Sequence, residues 1–228
     1  MTSAADLVLG AWRGEHLPAD GGWQRIAPWR TDLYAVLAFT GHAAVSAPDS
    51  VTDAQLSSWG VDGWGGAHDP RVMARLAGKD GWVDVLDAIL VGAGTGSSGG
   101  VGGSGAGAGA GGTELVPRPD LADHPRAVHA REVREEVEVF GWPGRDDVVV
   151  TRGLSLGGLP VVSYEVAPGA RGAGLGTRTA IAARGLVTAG KPVLALVAPG
   201  NAASLRAVLR AGYVPVGSVQ LYRPGAGT

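Results

Sequence analysis

From Glu132 onward, apolar and polar positions recur with a legible period. Asp147–Ser155 (DVVVTRGLS) and Leu159–Ala167 (LPVVSYEVA) read as strands, and Gly157-Gly158 between them reads as a tight hairpin. Glu132–Phe140 (EVREEVEVF) alternates and runs into the turn cluster Gly141-Trp142-Pro143-Gly144. These three runs predict an antiparallel meander. A glycine-rich stretch, 168–176, follows, and then Leu175–Thr188 (LGTRTAIAARGLVT) has helical spacing and is expected to stop at Gly190 and Pro192. Pro192–Ala198 (PVLALVA) is apolar throughout, as a strand buried on both faces is. Ala202–Arg210 (AASLRAVLR) reads as a helix capped by Asn201 and ended by Gly212, and Tyr213–Tyr222 as a last strand. The order is β-β-β-α-β-α-β.

The upstream half has a weaker rhythm. Asp32–Phe39 (DLYAVLAF) predicts a strand, and Ala43–Ala47 continues it or pairs with it after Thr40-Gly41. Asp53–Trp59 and Pro70–Ala77 predict short helices, and Gly81–Leu90 reads as strand or helix. Residues 1–31 are turn-rich, carry Trp12, Trp23 and Trp29, and give no assignment.

Glycine changes this picture. The chain has 39 in 228 residues, and twelve of them fall in 91–113, a Gly/Ala/Ser tract without charge. Such a tract has nothing to bury and is expected to be a flexible loop. It suggests four parts: an N-terminal extension at 1–31, a first portion at 32–90, the loop at 91–113, and a core at 114–228. Charge differs across the loop. Residues 1–90 hold eleven acids against six bases, and 114–228 hold ten against thirteen. The basic second half is where an anion is expected to meet the chain, although scatter in composition gives the same split.

Composition also excludes classes. There is no cysteine, hence no disulfide, thiolate metal site or cysteine nucleophile. No run of 18 apolar residues is present, so no membrane span is expected, and Met1–Gly14 lacks the basic start of a signal peptide. A cytoplasmic location is expected. No basic stripe interleaved with aromatics points to nucleic acid. The basic residues are 17 Arg and 2 Lys, a skew that goes with high Gly and Ala and reads as coding bias.

The candidate chemistry centres on Arg171-Gly172-Ala173-Gly174-Leu175-Gly176. By composition alone such a match arises easily. Its place matters: it leaves a strand and opens a helix, so free amides and the positive end of the helix dipole converge, which suits a phosphate. A dinucleotide fold requires G-x-G-x-x-G after a parallel strand, and a P-loop requires G-K-[ST]. Gly172-x-Gly174-x-Gly176 has the wrong last spacing, and Gly176-Thr177 lacks the lysine.

This segment resembles the GNAT family, the GCN5-related N-acetyltransferases, whose loop reads [R/Q]-x-x-G-x-[G/A]. Val166-Ala167-Pro168 leads into it, and Val193–Ala198, Asn201, Ser204 and Gly212-Tyr213 follow at the family's spacing. The resemblance runs from Tyr164 to Arg223, with the meander fitting more loosely. It implies an α/β (α+β) acyltransferase fold, with a mixed, mostly antiparallel sheet flanked by helices. Residues 32–90 would supply the acceptor side. It further implies acetyl-CoA as co-substrate without a metal, and an amine acceptor, a small molecule in our reading, attacking directly. Pantetheine would lie between the strands ending at Ala167 and Ala198, bonded to main chain at Val166 and Ala167. The pyrophosphate would sit on Arg171, Gly172, Ala173, Gly174, Leu175, Gly176 and Thr177, with Asn201 and Ser204 lining the cofactor side. The family's usual acid, a tyrosine seven residues after the Asn, is replaced by Val208. Ser204 or water is left as the acid, and Tyr213 reads as core. Glu165 is the candidate base, an acid within an apolar strand, although an outward face or an arginine partner explains it equally. The alternative is a GNAT-like module that binds an acyl-CoA without catalysis. A monomer or a homodimer fits either.

Other polar residues admit two readings. His42, Asp62, His68 and Asp69, with Trp59 and Trp64 as walls, form either an acceptor pocket or a polar turn. His124 and His129 read as structural, and Glu135, Glu136 and Glu138 as a solvated strand face.

Overall fold

The computed structural model describes residues 2–96 and 114–225. Its elements in order are α1 (Ala4–Trp12), β1 (Trp23–Arg25), β2 (Tyr34–Phe39), β3 (His42–Val45), α2 (Asp53–Ser58), α3 (Pro70–Ala77), β4 (Trp82–Val83) and β5 (Asp87–Ala93). After the glycine tract come β6 (Val116–Pro117), α4 (Pro125–Val133), β7 (Glu135–Gly141), β8 (Val148–Ser155), β9 (Leu159–Val166), α5 (Leu175–Arg184), β10 (Pro192–Val197), α6 (Ala202–Arg210) and β11 (Val214–Arg223).

The described strands form one open sheet in the order β1-β3-β2-β11-β5-β10-β9-β8-β7-β6, with β4 beside β11. Its pairs are antiparallel except β1 with β3 and β9 with β10. It is therefore a mixed, mostly antiparallel sheet flanked by helices. The alternation of side chains divides its core between two faces. Ile89, Val91, Val161, Leu194 and Val219 pack with Leu7 and Val8 of α1. Leu90, Val162, Val193 and Ala195 pack with Leu175, Ala180 and Ala183 of α5 and Val208 of α6. Further along, Val36, Val45 and Tyr222 pack with Leu56 of α2 and Val72, Met73 and Leu76 of α3.

The downstream order matches the sequence reading, with three changes at element ends. Glu132 and Val133 close α4 rather than opening a strand. Pro125 sits at the first helical turn and the His124 ring accepts from the Arg126 amide at 3.1 Å, so this helix has a strong start. The strand then begins at Glu135, with a bulge at Glu136, whose φ is +50°. The helix expected over 175–188 ends at Arg184, because Leu186 and Val187 turn back on Ala183 and Arg184 and Val187 enters the core. The loop expected from residue 91 starts later. Val91, Gly92 and Ala93 belong to β5, opposite Leu194, Val193 and Pro192. The amides of Gly94, Thr95 and Gly96 are held by the carbonyls of Lys191, Arg184 and Val187. The rest of that expectation lies outside the described residues.

In the upstream half, β3 pairs with β2 instead of continuing it, and Gly81–Leu90 resolves into β4 and the start of β5. Residues 1–31, unassigned from sequence, supply α1 and β1. Ser3 and Asp6 form a reciprocal capping box at the start of α1.

Leu194 stands at the centre of the sheet and is fully buried. Leu194→Ala is expected to cost about 2–5 kcal/mol, as large-to-small core changes do. Urea denaturation of the variant checks this; a loss below about 1 kcal/mol would contradict the packing described.

Candidate functional site

The site begins where two strands part. β9 and β10 run parallel and register at one pair, Leu194 opposite Val161. Each is committed elsewhere: β9 to β8 from Leu159 to Val166, and β10 to β5 from Pro192 to Val197. Beyond Leu194 the two strands diverge toward their C-terminal ends and leave a V-shaped gap. Pro160 shows which backbone groups face it. Pro160 lies opposite Leu154 yet has no N–H, so it occupies a position that does not bond to β8. By alternation Val162, Tyr164 and Val166 also turn their main-chain groups away from β8. Consistent with this, the Ala167 amide points back and donates to the Asp147 carbonyl at 2.8 Å. The Val166 carbonyl accepts from Arg171 Nε at 2.9 Å. The amides of Tyr164 and Val166 are left facing the gap.

The loop below the gap leaves a helix start uncapped. After a short turn at Pro168–Ala170, Gly172 and Gly174 take φ of +89° and +74°, a left-handed backbone that glycine adopts without cost. Gly174 is the N-cap of α5 and has no side chain to satisfy the first turn. As a result the six successive amides from Gly172 to Thr177 have no acceptor among the described residues. They converge at the positive end of the α5 dipole. The Leu175 side chain is buried, so it offers the loop its amide alone. A Cβ at Gly176 would lie 3.8 Å from Tyr164 and Ala207, which shows how closely α5, β9 and α6 meet. This loop lines a cleft of about 550 Å³, together with Arg126, Arg171, Arg206 and Arg210; Glu165 is the one carboxylate among its described walls.

Asn201 and Ser204 lie on the opposite wall. The Asn201 side chain accepts from the Ser204 amide at 3.1 Å and caps α6. Val208 is buried one turn further along the helix. Glu165 lies opposite Val149; its carboxylate is 40% exposed and stands 3.7 Å from Arg126 Nε.

A second cavity of about 230 Å³ adjoins the first and shares Arg126, Tyr164, Asn201 and Ser204 with it. Asp84, just after β4, and Asp87, the first residue of β5, line one side, and Arg134, at the end of α4, lines the other. Burial, with Asp84 nearby, pushes the Asp87 carboxyl up to about 7. Burial lowers the Arg134 guanidinium to about 10. The Tyr164 hydroxyl is buried without a partner, and desolvation raises it to about 12.

Sequence reading missed Asp87, Arg134 and Tyr164. One signal was present: Asp87 opens the otherwise apolar run DAILVGA. None of His42, Asp62, His68 and Asp69 lines either cavity, and each is held in a local contact instead. His42 Nδ1 meets Asp20 at 3.3 Å, and Asp62 accepts from the Trp64 and Gly66 amides at 2.8 Å each. His68 Nε2 meets the Val36 carbonyl at 3.2 Å, and Asp69 caps α3 through the Arg71 amide at 2.8 Å. Among the described residues no group of three or more side chains is placed to hold a metal ion, and no helix is long and apolar enough to cross a membrane.

No family model matches the chain, and no curated protein matches it. Some solved structures are similar to it over part of their length. One is an acetyltransferase of the GNAT family from Colwellia psychrerythraea, 10% identical, with 63% of this chain and 57% of that chain covered and a TM-score of 0.40. Another, a protein from Novosphingobium aromaticivorans described as a putative acetyltransferase of the GNAT family, is 15% identical over 64% of this chain and 68% of its own, with a TM-score of 0.36. A conserved protein of unknown function from Staphylococcus epidermidis is 13% identical over 69% and 68%, with a TM-score of 0.39.

Proposed function

We propose that the chain transfers an acyl group from an acyl-CoA, acetyl-CoA being the simplest donor, to a small-molecule amine. One observation carries this reading: two parallel strands part above six uncapped amides, in a cleft where four arginines face one glutamate. The pyrophosphate would rest on residues 172–177, with Arg171, Arg206 and Arg210 adding positive charge. The pantetheine arm would thread the gap. The thioester carbonyl would accept from the Tyr164 or Val166 amide, which would stabilise the oxyanion as it forms.

Asp87 supports the base role better than Glu165. Glu165 is half-exposed and faces Arg126, whereas Asp87 lies in the adjoining small cavity with its pKa raised to about 7. A base poised near neutrality is what proton removal from an amine needs. The acceptor enters as an ammonium and gives one proton to Asp87. Its lone pair forms the N–C bond, and the C–S bond breaks. The nitrogen's second proton ends on the sulfur, and Asp87 returns its own to solvent. The products are the amide and free CoA thiol. Tyr164, which lines the cleft, would hydrogen-bond the leaving sulfur, and a phenol is more acidic than the Ser204 hydroxyl.

With acetyl-CoA and amine saturating, kcat is expected to rise with pH through a single ionisation near 7, because only the carboxylate form of Asp87 accepts a proton. Burial and Asp84 raise that midpoint, and Arg134 and Arg126 lower it; His129 lines the same cavity. A kcat flat between pH 6 and 8 would remove Asp87 as the base. Glu165→Gln is expected to keep wild-type kcat within about fivefold, less than the roughly 100-fold or more a base contributes; a larger loss would return the role to Glu165. Val208, in the place of the resemblance's tyrosine, favours the alternative of an acyl-CoA-binding module without turnover. Release of thiol in the presence of an amine separates the two.

A further inference from the structure

The small cavity has charge of both signs, and one of its cations, Arg134, has no carboxylate in ion-pair contact among the described residues. Arg134 donates to two hydroxyls, Thr151 Oγ1 at 3.2 Å and Ser163 Oγ at 3.1 Å. Its Nε is buried without an acceptor, and no carboxylate lies within 4 Å among the described residues. Arg126 Nε is buried and also without a hydrogen bond, its nearest carboxylate oxygen 3.7 Å away on Glu165. A buried guanidinium N–H without an acceptor is costly unless something accepts from it. On the facing side Asp87 and Asp84 attract Arg134 across the cavity, but neither comes within 4 Å of a cation among the described residues. The volume, about 230 Å³, lies below the roughly 300–1,000 Å³ of sites for drug-sized ligands.

We propose that the acceptor is a small amino acid, bound with its carboxylate on Arg134 and Arg126 and its amine at Asp87. This rests on the acyl-transfer reading. The two charged groups of such a molecule complement the two sides of the cavity. A guanidinium with a free edge suits a carboxylate, which it binds with charge-assisted hydrogen bonds. Val85, exposed at the rim, and Val133 and Leu196 in the walls offer an apolar surface to an aliphatic side chain. A polyamine or an aminoglycoside would leave Arg134 facing another cation.

The test compares glycine, alanine, leucine and methionine with their amides and with the corresponding decarboxylated amines. Binding is measured by calorimetry on the full chain saturated with CoA, and thiol release is measured with acetyl-CoA. At least one amino acid is expected to bind tenfold or more tightly than its amide and its amine. Arg134→Met is expected to abolish that preference. The ligand comparison on the unaltered protein keeps the test open if that variant does not fold. Equal or tighter binding of the amides, or no binding of any amino acid, would overturn the proposal. Thiol release with simple amines but not amino acids would leave acyl transfer standing and the carboxylate site refuted. Amino acid binding with no thiol release would do the reverse.

Discussion

Asp87→Asn is expected to lower kcat by about 100–10,000-fold, the range general-base catalysis contributes, with little change in the KM for acetyl-CoA. The same change is expected to raise the melting temperature above neutral pH. A carboxyl whose folded-state pKa is raised holds its proton more tightly when folded than when unfolded. Its contribution to stability is full below about pH 4, the unfolded value, and is lost as pH rises through about 7. Asparagine does not ionise and avoids that loss. Melts at pH 5.5 and 8.5 should show the larger gain at 8.5. A residue with a structural role alone would lose stability on substitution and leave kcat near wild type. That pair of results would remove Asp87 from the mechanism.

Gly174→Glu is expected to abolish CoA binding. The residue caps α5 with its first-turn amides open, and nothing lies within 4 Å of where a side chain would start. A carboxylate there would meet the pyrophosphate. Two like charges about 4 Å apart near a protein surface repel by about 4 kcal/mol, or about a thousandfold in affinity. Glutamate at φ +74° also strains the backbone. Gly174→Asn separates the two effects, because asparagine tolerates this conformation and brings no charge. Calorimetric titration with CoA should find binding to the asparagine variant within about tenfold of wild type and none to the glutamate variant. Equal binding by all three proteins would place the pyrophosphate elsewhere.

The conformation of the 171–177 loop was legible in the sequence because it is local. One strand, two left-handed glycines and one helix start make it, all between Leu159 and Arg184. The strands and helices from β8 onward were legible for a similar reason, since each shows its own period. Where local patterns compete, the ends moved. Arg184 closes α5 early, its Nε on the Ala93 carbonyl and a second nitrogen on that of Ala211, both 2.7 Å away. No pattern within 175–188 carries those partners. The small cavity was illegible for the same physical reason. Asp87 reaches it because β5 inserts between β10 and β11, more than 100 residues later in the chain. Arg134 reaches it because α4 ends there, where alternation suggested a strand. Glu165 stood out because it interrupts an apolar strand, and Arg126, a contact 39 positions away in sequence, provides a reason for it.

The cleft between β9 and β10 is proposed to hold an acyl-CoA and pass its acyl group to an amine. The most direct measurement is release of free thiol from acetyl-CoA by the purified chain, with and without the amino acids and amines named above. Thiol release that requires the amine, with one N-acetylated product per thiol, is the predicted result. CoA binding with no amine-dependent thiol across the whole panel would contradict it.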